Sequence, residues 1–283
     1  MTGLIKAVTK DEFLIKEADS LLQDKKQLHL WWLGQSGYLV QWNGYRLLID
    51  PYLSDSLTKK YENTDKPHIR MSEREIAPQL LTHISFITSS HNHTDHLDAE
   101  TLIPVLKNNP FAKLIIPEAN RSFVANRLQC EESFSTGLND GESVSFGDIT
   151  FYGVPAKHNE IERNEKGQCV YMGYVIKIGP YTIYHSGDTL WFDELVPLLR
   201  PFHVDVAILP VNGNKPERRV AGNLNSSEAV KLAKEINAAR VTPCHYDMFT
   251  FNTADVNEFI QEAITAAQAY HVLQPGERLS INL

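Results

Sequence analysis

The chain has 283 residues, 42% hydrophobic and 22% charged, with a formal net charge of −8. That length carries one large α/β domain over residues 1–283, and the acidic balance argues against nucleic acid, whose binders show a basic face. No apolar run reaches membrane-spanning length, the start Met1-Thr2-Gly3-Leu4-Ile5-Lys6 is no signal-peptide core, and Cys130, Cys169 and Cys244 are scattered, so a reducing cytoplasm without membrane or disulfides is expected.

In chain order, Thr9-Lys10-Asp11-Glu12 reads as a capping box opening a helix at about 9–25, with Phe13, Leu14, Ala18, Leu21 and Leu22 near helical spacing. That helix either packs on the core or serves a subunit contact, which leaves a homo-oligomer open. Residues 28–33 are strand-like, and Gly34-Gln35-Ser36-Gly37 is a turn. Two apolar runs flank Asn43-Gly44, the signature of a two-residue hairpin. Asp50-Pro51 ends the second run and reads locally as a turn. Residues 54–71 are polar and predict a long loop, placed to act as a lid.

The apolar run Ile84-Ser85-Phe86-Ile87 predicts a buried strand, and His91-Asn92-His93-Thr94-Asp95-His96 follows it. Asp98 then caps a helix that Pro104 should shorten or kink. The cluster therefore sits in a loop at a strand's C-terminal end, where α/β folds place chemistry. His91 and His93, two apart, share a side in extended chain and can grip one ion. A sharp turn would aim Asp95 and His96 at a second. Imidazole and carboxylate together suit zinc, manganese or iron. A lone histidine here would be a polar loop residue; four donors in six positions argue for metal.

Residues 113–116 predict a strand and 118–128 a helix, with turns at Asn139-Asp140-Gly141 and Gly147-Asp148. A charged loop follows His158, a hairpin crosses Gly179-Pro180, and residues 204–209 form a buried strand. After the polar loop 211–224, Asn225-Ser226-Ser227-Glu228 caps a helix, Arg240 to Cys244 is strand-like, and a last helix near 254–267 precedes a short strand.

The pattern His91-x-His93-x-Asp95-His96 resembles the signature of the metallo-β-lactamase superfamily. The resemblance implies a four-layer αββα sandwich with its site at one edge. It also supplies the rest of the ligand set: His158 in Val154-Pro155-Ala156-Lys157-His158, Asp188 in Ser186-Gly187-Asp188-Thr189, and His245 in Thr242-Pro243-Cys244-His245. One divalent transition-metal ion would see His91, His93 and His158, another Asp95, His96 and His245, with Asp188 bridging; zinc or manganese fits first, iron also. Asp50 would lie beneath the histidines and orient them. Asp95 and Asp188 carry the catalytic expectation.

The implied chemistry is hydrolysis: hydroxide generated at the metal pair attacks the carbonyl of a lactone or ester. Leu33-Gly34-Gln35-Ser36-Gly37, Ile49-Asp50-Pro51, Pro210-Val211-Asn212-Gly213-Asn214 and Gly222-Asn223 are similar to the L-ascorbate-6-phosphate lactonase branch. That points to a small anionic substrate such as a phosphorylated sugar lactone, with Asn212, Arg218, Arg219 and Asn223 as its contacts and Lys215 in the same loop. The alternatives are a phosphodiesterase on the same metals and a metal-binding regulatory protein without turnover. His93 argues against the di-iron redox variant, which places an acidic residue there. Gly34-Gln35-Ser36-Gly37-Tyr38 lacks the second glycine of a nucleophile elbow, and no Walker-type loop is present.

Overall fold

The computed structural model describes residues 3–282; Met1, Thr2 and Leu283, at the ends of the expected domain, lie outside the described residues. Six strands come first: β1 (Leu28–Trp32), β2 (Tyr38–Trp42), β3 (Tyr45–Ile49), β4 (Phe86–Thr88), β5 (Lys113–Pro117) and β6 (Ser135–Leu138). A second set follows: β7 (Ser143–Phe146), β8 (Ile149–Pro155), β9 (Met172–Ile178), β10 (Tyr181–His185), β11 (Val206–Pro210) and β12 (Arg240–Cys244). The last strand, β13 (Arg278–Ile281), returns to β1, giving a seven-stranded sheet in the order β13-β1-β2-β3-β4-β5-β6 beside a six-stranded sheet β12-β11-β10-β9-β8-β7.

Strand alternation builds the layers. Leu28, Leu30 and Trp32 of β1 join the core between the sheets, with Tyr174, Ile176 and Ile183 opposite. Trp31 faces the other way, into a second core made with Leu14 and Ala18 of α1 (Asp11–Ser20). That outer core also takes in Leu102 and Val105, and then Val124 and Leu128, from two further helices. In chain order the remaining helices are α2 (Ser56–Tyr61), α3 (Ala99–Asn108), α4 (Arg121–Leu128), α5 (Leu195–Leu199), α6 (Ser226–Glu235) and α7 (Val256–Thr265). Leu232 of α6 and Phe259 of α7 cover the outer face of the second sheet. Sheets buried on both faces read as continuous apolar runs, which is why β1, β2 and β11 are buried at every position.

The expected hairpin is present: β2 and β3 pair antiparallel across Asn43 and Gly44, both at positive φ (45° and 85°), as a type I′ turn requires. The capping boxes divide. Asn225 accepts from the Glu228 amide while the Glu228 carboxylate accepts from the Asn225 amide. The Thr9 box does not form; α1 starts at Asp11, and Lys10 gives no side-chain cap. Asp11 sits at φ 48° and uses its amide on the Glu75 carbonyl (2.9 Å) and its carboxylate on the Ala77 amide (2.7 Å). The helix stops at Ser20 rather than near 25 and packs on the core. Residues 54–71 contain α2 where a loop was expected, and α3 runs on for four residues past Pro104. The short helix α5, with proline in its middle, gave no periodic signal.

Strands β3 to β6 run parallel, as do β10 to β12, so their C-terminal ends gather at one edge. Asp50, His91 and Asp188 follow β3, β4 and β10, while His245 follows β12.

Candidate metal centre

The loop after β4 turns sharply. The amides of His96 and Leu97 both donate to the His93 carbonyl (3.1 and 2.9 Å). This reversal sends neighbouring donors to two places: His91, His93, His158 and Asp188 converge in one group, Asp95, His96 and His245 in another, each with ligand atoms within 4.8 Å of one another. Asp188 lies between them, its Oδ2 3.7 Å from His158 Nε2 and its Oδ1 2.8 Å from His245 Nε2 and 3.3 Å from His96 Nε2. The turn before Asp188 needs Gly187. At φ +59°, a Cβ there would stand 2.7 Å from both the Met172 carbonyl oxygen and Ser90 Cβ.

The rear of each ring is tied down. His96 Nδ1 donates to Asp50 Oδ2 at 2.7 Å, and Asp50, fully buried, also accepts from Thr88 Oγ1 (3.0 Å), the Ser90 amide (3.1 Å) and Ser90 Oγ. His158 Nδ1 donates to the Gly222 carbonyl (2.9 Å), and His91 Nδ1 lies 3.0 Å from Ser90 Oγ. Such partners fix the tautomer and leave Nε2 to face the site. Gln35 adds two contacts: its Nε2 donates to Asp95 Oδ2 (2.8 Å) and lies 3.1 Å from His245 Nδ1, while its carbonyl accepts the His245 amide (3.1 Å).

The front of the site is the opposite. Nε2 of His91, His96 and His245 and Oδ1 of Asp188 are buried without a hydrogen-bond partner. The short His245–Asp188 approach brings the two atoms together without hydrogen-bond alignment. Buried polar atoms left unpaired are costly. Several converging from different strands are what a cation would satisfy, and an imidazole and carboxylate donor set fits a divalent transition metal.

Burial holds His91 well below the usual imidazole pKa and also lowers His93 and His158, so these rings are neutral donors. Burial opposes charge on His96 too, but the carboxylates of Asp188 and Asp95 overcome it and hold its pKa well above the usual value. Asp188 is pushed the other way: burial would raise it, and His245 and His96 keep it well below the carboxylate range.

The donors form the floor of a cavity of about 560 Å³, reached by His93, Asp95, His158, Asp188 and His245. Leu57, Tyr61 and His68 from the α2 segment line its wall, so that segment does border the site. Lys60, Lys66, Arg127 and Arg219 bring positive charge to the lining. Of the four expected substrate contacts, Arg219 lines the cavity and pairs with Asp65. Arg218, Asn212 and Asn223 do not line it. Arg218 donates to the Asn212 carbonyl (2.6 Å), Asn252 Oδ1 (2.9 Å) and the Thr253 carbonyl (2.9 Å), and Asn223 Nδ2 donates to Asn212 Oδ1 (3.0 Å). Lys215 borders a separate depression with Arg218. The three cysteines stand outside both donor groups, including Cys244 beside His245.

Gln35, Ser90, His68, Lys60, Lys66 and Arg127 escaped the sequence reading. Ser90 adjoins the histidine cluster and Gln35 sits in a turn already singled out, so both carried a signal. The others come to the cavity only through tertiary contact.

The comparisons agree with this geometry. A family model described as a beta-lactamase superfamily domain matches residues 45–246. A UPF0173 metal-dependent hydrolase of Caldivirga maquilingensis is 28% identical over 259 residues, covering 89% of this chain and 98% of its own. A protein of the same description from Desulforamulus reducens is 28% identical over 261 residues, covering 90% of this chain and 100% of its own. Among solved structures, Igni18, a metallo hydrolase of Ignicoccus hospitalis, superposes with a TM-score of 0.66 at 22% identity, covering 91% of this chain and 99% of its own. An isothiocyanate hydrolase from Delia radicum gut bacteria gives a TM-score of 0.71 at 18% identity, covering 91% of this chain and 100% of its own. At such identities the structures share the fold. Among the described residues no helix is long and apolar enough to cross a membrane.

Proposed function

The chain belongs to the metallo-β-lactamase superfamily, and we propose that this metal-dependent hydrolase cleaves the ester bond of a small anionic lactone or carboxylic ester. The observation that carries the reading is the set of unpaired, buried Nε2 and Oδ1 atoms facing one another at the cavity floor. His91, His93 and His158 would hold one divalent ion and Asp95, His96 and His245 a second, with Asp188 placed beside both groups. When bound, the ions supply Lewis acidity toward a carbonyl oxygen and acidify a water.

The chain's own groups do the rest. Asp50, Gly222 and Gln35 fix the faces that His96, His158 and His245 present, so little reorganisation is left for the moment of reaction. His91, His96 and Asp188 are buried, which strengthens each charge interaction among them. Lys60, Lys66, Arg127 and Arg219 favour a substrate carrying negative charge away from the scissile bond. The test is a panel of lactones, carboxylic esters and phosphodiesters, anionic and neutral, offered to metal-replete and chelated protein. Metal-dependent turnover of anionic lactones or esters is expected, and Asp188→Ala should lose at least one ion and nearly all turnover. Turnover confined to phosphodiesters would replace the ester reading. Full activity after chelation would end it.

A further inference from the structure

His68 lines the cavity together with Asp95, Asp188 and His245, yet belongs to neither donor group. Its ring is held from several sides. It stacks on Tyr61 (centroids 4.4 Å apart, 28° between planes), meets Phe249 edge-on (5.2 Å, 74°) and leans on Phe251 (5.2 Å, 54°). Its Nδ1 lies 2.8 Å from the Lys66 carbonyl oxygen, which can only accept, so Nδ1 carries a proton. Neutral imidazole has one N–H, so Nε2 is then a bare lone pair. That nitrogen makes no hydrogen bond among the described residues. Burial lowers the ring's pKa, with the Lys66 carbonyl and Asp95 working against it, so the resting ring is neutral. An aromatic clamp, one nitrogen satisfied and the other free is more than packing needs; a phenyl ring would pack as well.

We propose that His68 is a catalytic residue, a proton shuttle whose Nε2 takes a proton from the attacking water and passes it to the leaving oxygen. The inference rests on the hydrolytic reading. As the water oxygen bonds to the acyl carbon, its proton moves to Nε2 and the ring becomes imidazolium. As the bond from acyl carbon to leaving oxygen breaks, that oxygen takes the proton with the bonding electron pair and departs as an alcohol. The ring returns to neutral, no proton is gained or lost overall, and no further reactant is needed. The Lys66 carbonyl serves the charged intermediate by accepting from Nδ1 throughout.

A group that protonates the leaving oxygen matters most when that oxygen is basic. General acid–base catalysis of this kind contributes about 10²- to 10⁴-fold. The experiment compares two esters of one acyl group, a nitrophenyl ester, whose leaving oxygen is stable as an anion, and an alkyl ester, whose oxygen is not. It uses the metal-loaded wild type, His68→Gln and His68→Phe, the last keeping the ring contacts. Both variants should lose about 10²- to 10⁴-fold in kcat/KM on the alkyl ester, lose clearly less on the nitrophenyl ester, where only the proton transfer from water is missed, and hold as much metal as the wild type. Equal loss on both esters, or loss on neither, overturns the shuttle alone. A wild type that turns over no ester overturns the hydrolytic reading and the shuttle with it. Nitrogen NMR of the metal-loaded protein reads the ring without turnover: a neutral His68 protonated on Nδ1 supports the shuttle, and one protonated on Nε2 overturns it.

Discussion

Asp50 and His96 form a buried pair, Nδ1 to Oδ2 at 2.7 Å, with both side chains fully excluded from solvent. The contact fixes which nitrogen of His96 is protonated and turns Nε2 toward Asp95 and Asp188 (3.6 and 3.3 Å). Asp50→Asn keeps the shape and removes the charge. Loss of such a partner typically costs 10- to 100-fold in metal affinity. A drop of about that size is expected in competition titrations against a chelator. An unchanged affinity would mean that the ring is held by packing alone.

Arg218 and Arg219 should part company. Arg218→Ala removes three hydrogen bonds that brace the loop after β11, so it should destabilise the fold by about 1.5–3 kcal/mol and leave charge preference untouched. Arg219 lines the cavity, but its side chain is 63% exposed and paired with Asp65. Exposed pairs are weak, so Arg219→Ala should reduce the preference for anionic over neutral substrates by no more than about fivefold. Thermal melts and paired kcat/KM values read the two effects. A large change in charge preference in Arg218→Ala would contradict its bracing role.

Glu75 should make stability fall as pH rises. It is fully buried with neither carboxylate oxygen hydrogen-bonded, and burial pushes its pKa up to about 7 against the partial relief of Arg70. Between the unfolded value near 4.5 and about 7 the folded chain binds a proton that the unfolded chain has released. Stability therefore declines across that window, by ~3 kcal/mol in total at 1.36 kcal/mol per unit. Glu75→Gln should flatten this slope and melt higher than the wild type at pH above 7. Denaturant titrations at a series of pH values decide it; equal slopes for both proteins would refute the assignment.

Cys130 and Cys169 should be silent in metal binding. Both lie outside the two donor groups, and burial pushes the Cys169 thiol up to about 12. A thiol held protonated is a poor ligand. The double change to serine should leave metal content unchanged by elemental analysis, and loss of metal would show that a thiol belongs to the site.

What could be read from the chain was local. Asn43-Gly44, the Asn225 capping box and the Asp98 cap are signals written within a few residues, and each formed. The histidine cluster was legible because a single turn supplies four donors. His158, Asp188 and His245 came only through the family resemblance, since each is an ordinary residue at a strand end until parallel strands bring those ends together. The α1 start was misjudged because Asp11 spends its carboxylate on Ala77, 66 positions away. The α2 segment read as loop because six residues cannot show a period. His68 carried no signal at all: its meaning depends on Tyr61, Phe249 and Phe251 meeting around one ring.

The return of β13 to β1 also bears on how the molecule is made. Leu28 pairs with Ile281 and Trp31 with Arg278, partners some 250 positions apart. During synthesis the outer edge of β1 waits, with unpaired amides and carbonyls, until β13 has been made. An open edge of this kind is a template for pairing with other chains, and such exposure is what makes folding intermediates aggregate. Conditions that prolong this wait, such as slow translation, should therefore lower the yield of folded protein.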